Sequence, residues 1–196
     1  MEERVATICR TTKETKIELT LNLDGTGKTQ INTGIGFLDH MLNSFARHGL
    51  FDLSVSVDGD LEVDCHHTIE DTGIVLGQAI AKAVGEKKSM QRYGSIILPM
   101  DETLILCAID LTGRQYLVFD ANFTTDRVGN YDTEMVKEFF YAVSYSSGMN
   151  LHIRQLAGEN NHHIIEGIYK AFAKALDQAT RIDSRIVDVL STKGSL

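Results

Sequence analysis

Two short stretches concentrate the chain's metal-capable chemistry: DCHHTIED at residues 64–71 and NNHHIIEG at residues 160–167. Each contains His-His-x-x-Glu, and together they use four of the chain's seven histidines. On a helix of about 3.6 residues per turn, neighbouring side chains point roughly 100° apart. His66 and His67 therefore diverge, with Glu70 projecting between them from the next turn. His162, His163 and Glu166 repeat the arrangement. A divergent pair is poorly placed to chelate one ion but can offer one imidazole to each of two sites. Imidazole nitrogen combined with carboxylate oxygen suits a borderline divalent ion such as Mn, Fe or Zn. Asp71 and Glu159 lie near enough in sequence to orient the histidines from behind. Cys65 reads as a small filler, and the isolated His48 and His152 read as satisfied polar groups.

The elements that must carry these clusters occur twice in the same order. RVATICRTT, TKIELTLNL and KTQI have the look of short strands, with alternation clearest at Ile17, Leu19 and Leu21. GFLDHMLNSFARHG follows as a helix through Phe37, Leu38, Met41, Leu42 and Phe45, with Gly49 as its stop. FDLSVSV is a strand, and HHTIEDTGIVLGQAIAKAVG is a helix. The second half repeats this: strands SIILP, TLILCAID and RQYLVFDA, then helix TEMVKEFFYAVSYSSG with Thr133 as N-cap and Gly148 as stop. Strand MNLHIRQL and helix HHIIEGIYKAFAKAL complete it. The expectation is an α+β fold of internally duplicated βββαβα half-domains, residues 1–90 and 91–196, in one compact chain. Its sheets are mainly antiparallel, with helices packed on one face. Aligning the halves on the clusters brings His40 opposite Glu138, each a ligand-capable residue on an otherwise apolar helix. One ion then draws on His40, His66, His67 and Glu70, the other on Glu138, His162, His163 and Glu166.

Bulk properties narrow the setting. A chain of 196 residues with 43% apolar and 23% charged residues has ordinary globular composition. A net charge of −8 argues against a broad nucleic-acid surface, while a small anion needs only a few local cations. No apolar run approaches the roughly 20 residues that span a bilayer, and MEERVATICR has no secretory character. Cys9, Cys65 and Cys107 are widely separated without CxxC spacing, so the expected location is the reducing cytoplasm.

GIGFLDHML (34–42), DCHHTIEDTG (64–73), RYGSIILPMDETL (92–104), NHHIIEGIYKAFAKAL (161–176) and STKG (191–194) resemble the imidazoleglycerol-phosphate dehydratases of histidine biosynthesis, in order and over nearly the whole chain. The resemblance implies a hydro-lyase that converts imidazole glycerol phosphate to imidazole acetol phosphate. It also implies two Mn2+ ions per active site and trimers assembled into a 24-subunit homo-oligomer. By this resemblance Glu14 and Glu166 are acid/base candidates, and Asp101 and His48 are further catalytic candidates. Arg92, Arg114 and Lys193 would hold the phosphate, with Ser191, Thr192 and Gly194 adding hydroxyl and backbone donors in a C-terminal tail. A carboxylate can take a carbon proton while a neighbouring hydroxyl leaves with acid assistance, and a metal at a ring nitrogen makes the imidazole an electron sink. Without the resemblance, Glu14 reads as a surface charge and Arg92 and Arg114 as solvated turn residues. One position departs: the family commonly carries His where this chain has Glu138, which remains ligand-capable.

Two rivals stand beside this reading. A metal-storage or structural metal-binding oligomer needs neither the cations nor Glu14. A metallohydrolase would use metal-bound water, but HHxxE is not HExxH, and the four long helices of di-iron bundles are missing.

Overall fold

The computed structural model describes residues 4–194. The first half contains β1 (Val5–Thr11), β2 (Thr15–Asn22), β3 (Thr29–Asn32), α1 (Gly36–Gly49), β4 (Asp52–Gly59) and α2 (His66–Val84). The second contains β5 (Tyr93–Met100), β6 (Thr103–Asp110), β7 (Tyr116–Asp120), α3 (Met135–Ser147), β10 (Asn150–Ala157) and α4 (Asn161–Thr180). A small hairpin, β8 (Arg127–Val128) and β9 (Tyr131–Asp132), is inserted before α3.

The duplication extends to topology. The sheets run β1-β2-β4-β3 and β5-β6-β10-β7. Two pairings in each are antiparallel, and the third, β3 with β4 or β7 with β10, is parallel. The parallel pair follows from connectivity: α1 and α3 are the crossovers that return the chain to run alongside the preceding strand. Pro99 lacks a ladder donor and lies in β5, an edge strand.

Period-two patterning gives each sheet one apolar face. On β2, Thr15, Ile17, Leu19 and Leu21 are buried, while Lys16 and Glu18 are exposed. α1 and α2 cover the inner face of the first sheet, and α3 and α4 cover that of the second. The two helical layers then meet face to face, α2 along α3 and α1 along α4. The α1–α4 seam includes Phe45 stacked on Phe172 with centroids 5.5 Å apart, and Phe140 packs edge-on against the same Phe172 ring at 5.3 Å. At the α2–α3 seam the backbones come very close. A Cβ placed on Gly77 would lie 2.7 Å from the Val143 carbonyl oxygen and 2.7 Å from Ser146 Cβ.

Several local expectations are corrected. Thr133 does not cap α3: its hydroxyl donates to the Thr125 carbonyl at 2.8 Å, pinning the loop beneath the hairpin, and Glu134 occupies the N-cap. Gly49 remains helical, and the left-handed residue that ends α1 is Leu50, at φ 60°. Its counterpart Gly148 takes the same conformation at the end of α3, as expected. The β8–β9 hairpin, turning on Gly129-Asn130, was not anticipated, although Gly-Asn between short strands is a hairpin signal.

The close α2–α3 approach makes Gly77→Ala an overpacking substitution against backbone. It should lower stability by about 1–3 kcal/mol, read as a fall in the urea midpoint with an unchanged m-value.

Candidate active site

Both histidine pairs sit on the first turn of the last helix in their half, where unpaired backbone N–H groups must be satisfied. The Asn160 side-chain oxygen accepts from the backbone N–H of His162 (2.9 Å) and His163 (3.3 Å). Asp64 accepts from the backbone N–H of His66 at 2.7 Å. Asn160 is the N-cap of α4, Asp64 holds the start of α2 from the residue before its N-cap Cys65, and the rings then diverge. Interplanar angles are 76° for His66 and His67, and 85° for His162 and His163.

One ring of the second pair joins a cluster. His40, His162 and Glu166 offer ligand atoms that all lie within 4.8 Å of one another. Glu166 Oε2 is 3.2 Å from His162 Nε2 and 3.7 Å from His40 Nε2. The grouping of ligands by half is thereby corrected, because His40 belongs with His162 and Glu166 rather than with His66, His67 and Glu70. Packing is the cause: α1 lies along α4 of the other half. By the same rule Glu138, half-buried on α3, belongs beside α2. There His66 Nε2 is 3.7 Å from Glu70 Oε2, but among the described residues no third ligand atom closes that group. Phe37 packs its ring edge-on against His162 at 5.1 Å and lies 6.4 Å from His40, backing the cluster with an apolar wall.

Glu166 is buried and paired. Lys170 Nζ sits 2.8 Å from its Oε1, which leaves Oε2 facing the two imidazoles. Burial works to raise this carboxyl, but the Lys170 ammonium and the two nearby rings more than offset it, so it lies below the usual range.

The other ring of each pair turns to a carboxylate that sequence reasoning missed. His67 Nδ1 is 2.9 Å from Asp60 Oδ2, and His163 Nδ1 is 2.8 Å from Glu102 Oε2. Asp71 does not orient a histidine. Its two oxygens accept from Arg10 Nε at 2.9 Å and from the Thr15 hydroxyl at 2.5 Å, tying α2 to the first sheet. Glu159 contributes its backbone N–H, to Glu102 Oε1 at 3.3 Å. The catalytic candidates Glu14 and Asp101 stand at equivalent sheet turns on the far side of these rings: Glu14 Oε1 is 3.9 Å from His67 Nε2, and Asp101 Oδ2 is 3.8 Å from His163 Nε2. Cys65 is buried beside the first pair, as a filler would be.

The substrate-binding candidates gather elsewhere. Arg92, Arg114, Ser191, Thr192 and Lys193 line one cleft of 870 Å3 with Arg185, whereas Gly194, next in the chain, is exposed and not part of the lining. Arg92 is partly spent. Its guanidinium donates to both oxygens of Asp110, at 2.6 and 3.0 Å, and to the Leu190 carbonyl at 2.7 Å, so it clasps the tail as well as lining the cleft. Arg114 and Lys193 are exposed. The cleft lies at the far end of α4 from the histidines: the Arg92 backbone N–H bonds the Ala179 carbonyl on the last turn, whereas His162 is on the first. At 1.5 Å per residue the two places are roughly 25 Å apart. His48 is in neither group. It lies on the last turn of α1, two turns beyond His40, where burial and then the Lys170 ammonium push its ring below the ordinary range.

The chemistry available is that of a preorganised nitrogen–oxygen ligand group, exposed carboxylates beside imidazoles, and a separate anion cleft. Asp60 and Glu102 lie 7 and 61 residues from their histidines and carry no local signal. Lys170 had one, the i,i+4 spacing from Glu166.

A family model described as imidazoleglycerol-phosphate dehydratase matches residues 33–176. The chain is 66% identical over 193 residues to the imidazoleglycerol-phosphate dehydratase of Lachnoclostridium phytofermentans, covering 98% of each chain. It is 59% identical over 194 residues to that of Acetivibrio thermocellus, covering 99% of this chain and 100% of the relative. The crystal structure of the Staphylococcus aureus imidazoleglycerol-phosphate dehydratase superposes with a TM-score of 0.83 at 40% identity, over 91% of this chain and 99% of that one. The Pyrococcus furiosus structure gives 0.83 at 36% identity, over 96% and 100%.

The Glu102–His163 pair has a defined pH window when no divalent ion is added. Glu102 holds the His163 ring above its ordinary 6.5, so that contribution is complete below pH 6.5 and lost as pH rises through the raised value. The ring and the Asn160 amide lower Glu102 from 4.5 to about 2, so its contribution is complete above pH 4.5 and lost as pH falls toward 2. Amide protection factors in the first turn of α4 should therefore peak between pH 4.5 and 6.5. In Glu102→Gln the peak should flatten.

Proposed function

The chain belongs to the imidazoleglycerol-phosphate dehydratase family and is the hydro-lyase that removes water from imidazole glycerol phosphate in histidine biosynthesis; from that premise we propose how its residues divide the work between neighbouring copies. The observation that carries this reading is the placement of the two clusters at opposite ends of α4, roughly 25 Å apart. The substrate is one ring on a three-carbon chain ending in a phosphate, several-fold shorter than that gap. A single copy therefore cannot hold the ring at its histidines and the phosphate in its own cleft. The ring goes to the histidines of one copy and the phosphate to the cleft of another, which makes self-association part of the active site. The 24-subunit shell implied by the sequence resemblance supplies such neighbours.

The donor set fits a divalent ion. Around an ion with bonds of about 2.2 Å, adjacent ligand atoms lie about 3.0–3.6 Å apart; Glu166 Oε2 stands 3.2 and 3.7 Å from the two imidazole nitrogens. We assign His40, His162, Glu166 and His163 to ligand roles in the second half, and His66, His67, Glu70 and Glu138 in the first, with His67 and His163 directed to sites shared with neighbours. Manganese, two ions per active site, is the proposed occupant. When bound, it would hold the imidazole ring and stabilise the change in ring charge as the C–O bond breaks.

The chain's own groups move the protons. The hydroxyl leaves one carbon as water, the adjacent carbon loses its proton, and the resulting enol becomes the ketone of imidazole acetol phosphate. Glu14, exposed at its turn beside His67, is the proposed acid/base, and Asp101 occupies the equivalent turn beside His163. Glu166, kept ionised by Lys170, acts as a ligand. Arg114, Lys193, Ser191 and Thr192 receive the phosphate, Arg92 shapes the cleft, and His48 lends polarity near Lys170. No helix is long and apolar enough to cross a membrane among the described residues, and the three cysteines are unpaired. We place the protein in the cytoplasm.

Glu14→Gln should leave metal content and substrate affinity nearly unchanged while kcat falls by about 100-fold; an effect confined to KM would make it a positioning group. The division between copies is tested by complementation. His162→Ala and Arg114→Ala/Lys193→Ala are each expected to be inactive alone. Dissociated together and reassembled with manganese, they should regain a substantial fraction of activity, because some sites then combine two intact contributions. Reassembled mixtures no more active than the sum of their parts would show that each chain holds a whole site.

A further inference from the structure

The two halves satisfy their outer histidines from different places. In the second half, Glu102 on the β5–β6 turn takes His163 Nδ1 at 2.8 Å, and its other oxygen accepts the backbone N–H of Asn160 at 3.0 Å. The equivalent residue of the first half is Glu14, since buried Thr15 and Thr103 open the strands that follow. Glu14 does not make the corresponding contact. Asp60 stands at His67 Nδ1 instead, and Glu14 is left 3.9 Å from Nε2 on the other edge of the ring.

The cause is a difference in one connection. Residues 60–65 join β4 to His66, whereas only residues 158–161 join β10 to His162. The longer path lets Asp60, the first residue after β4, reach His67 Nδ1. The backbone holds Asp60 in place, because its N–H donates to the Glu14 carbonyl at 3.1 Å and locks the loop to the turn that carries Glu14. Its Oδ1 is buried with no hydrogen-bond partner, so the carboxylate gains little there beyond the His67 contact.

A neutral imidazole has one N–H and one lone pair, and a carboxylate at Nδ1 secures the proton on that nitrogen. We propose that Asp60 is a positioning residue: by accepting the Nδ1 proton of His67 it presents Nε2 outward as a ligand and keeps Glu14 off the imidazole, free to act. This rests on the ligand and acid/base roles proposed above. Two equivalent turns have thus diverged in what they do. Glu102 orients its histidine, while Glu14 is released because Asp60 orients His67 in its place. Removing Asp60 leaves Nδ1 open to Glu14, in the arrangement Glu102 already adopts.

The test is a calorimetric titration of metal-free protein with Mn2+, comparing wild type with Asp60→Ala, Asp60→Asn and Asp60→Ala/Glu14→Gln. Wild type should bind two ions per chain. Asp60→Ala should weaken one of them by about 10–100-fold and leave the other unchanged. Asn keeps a carbonyl acceptor and should recover most of the loss. In the double variant the loss should deepen, because in Asp60→Ala Glu14 can replace Asp60 in part at Nδ1, as Glu102 does at His163. Should Asp60→Ala not fold, Asp60→Ser carries the same comparison. Two ions at unchanged affinity in the Ala or Ser variant overturn this inference alone, as does an equal weakening of both ions. A wild-type chain that binds no divalent ion overturns the metal reading and this inference with it.

Discussion

Everything at the histidine cluster depends on one seam, the packing of α1 against α4. These helices come from opposite halves and are held by apolar contact, with Phe45 on Phe172 near its middle. That contact sets the height at which His40 meets the first turn of α4, and so brings it to 3.7 Å from Glu166. A slip of one helical turn would move His40 by about 5.4 Å and dissolve the group. The cluster's precision is therefore a by-product of core packing, in which interlocked side chains resist small displacements.

Charge is arranged against the grain of the whole chain. The net charge is −8, yet Lys170 lies inside the site and Arg92, Arg114, Arg185 and Lys193 surround the cleft. Most of these cations are tied to acidic partners: Lys170 to Glu166, Arg92 to Asp110 and Arg185 to Asp183. Arg114 and Lys193 form no ion pair among the described residues, which leaves them the cations of the cleft best able to meet an incoming dianion. The pairing also explains why reading Arg92 from its type alone is incomplete, since its bidentate geometry is spent first on a carboxylate of its own chain.

Periodicity made the repeat legible: strands at period two, helices at 3.6, and the order of elements in both halves. The divergence of neighbouring histidines also followed from helix geometry alone. What the sequence could not show was which helices would lie together. His40 aligns with Glu138 by position in the repeat, but its neighbours His162 and Glu166 are chosen by tertiary packing between halves, for which no local pattern exists. Asp60 and Glu102 were missed for a related reason. One comes from a loop and the other from a distant turn, whereas Asp71 and Glu159 were favoured because they were adjacent in sequence. Asp71 faces the sheet instead, where Arg10 and Thr15 claim it. The separation of cleft from cluster became visible only when α4 acquired a length and two ends.

The meeting of metal-capable side chains from opposite halves has a further physical consequence. His40 and the His162–Glu166 pair would be partners in a bimolecular encounter if the two halves were separate molecules. The covalent connection through residues 85–92 turns that encounter into an intramolecular one, governed by an effective concentration rather than by the amount of protein present. Dilution cannot separate these three groups, however strongly it acts on contacts between whole chains.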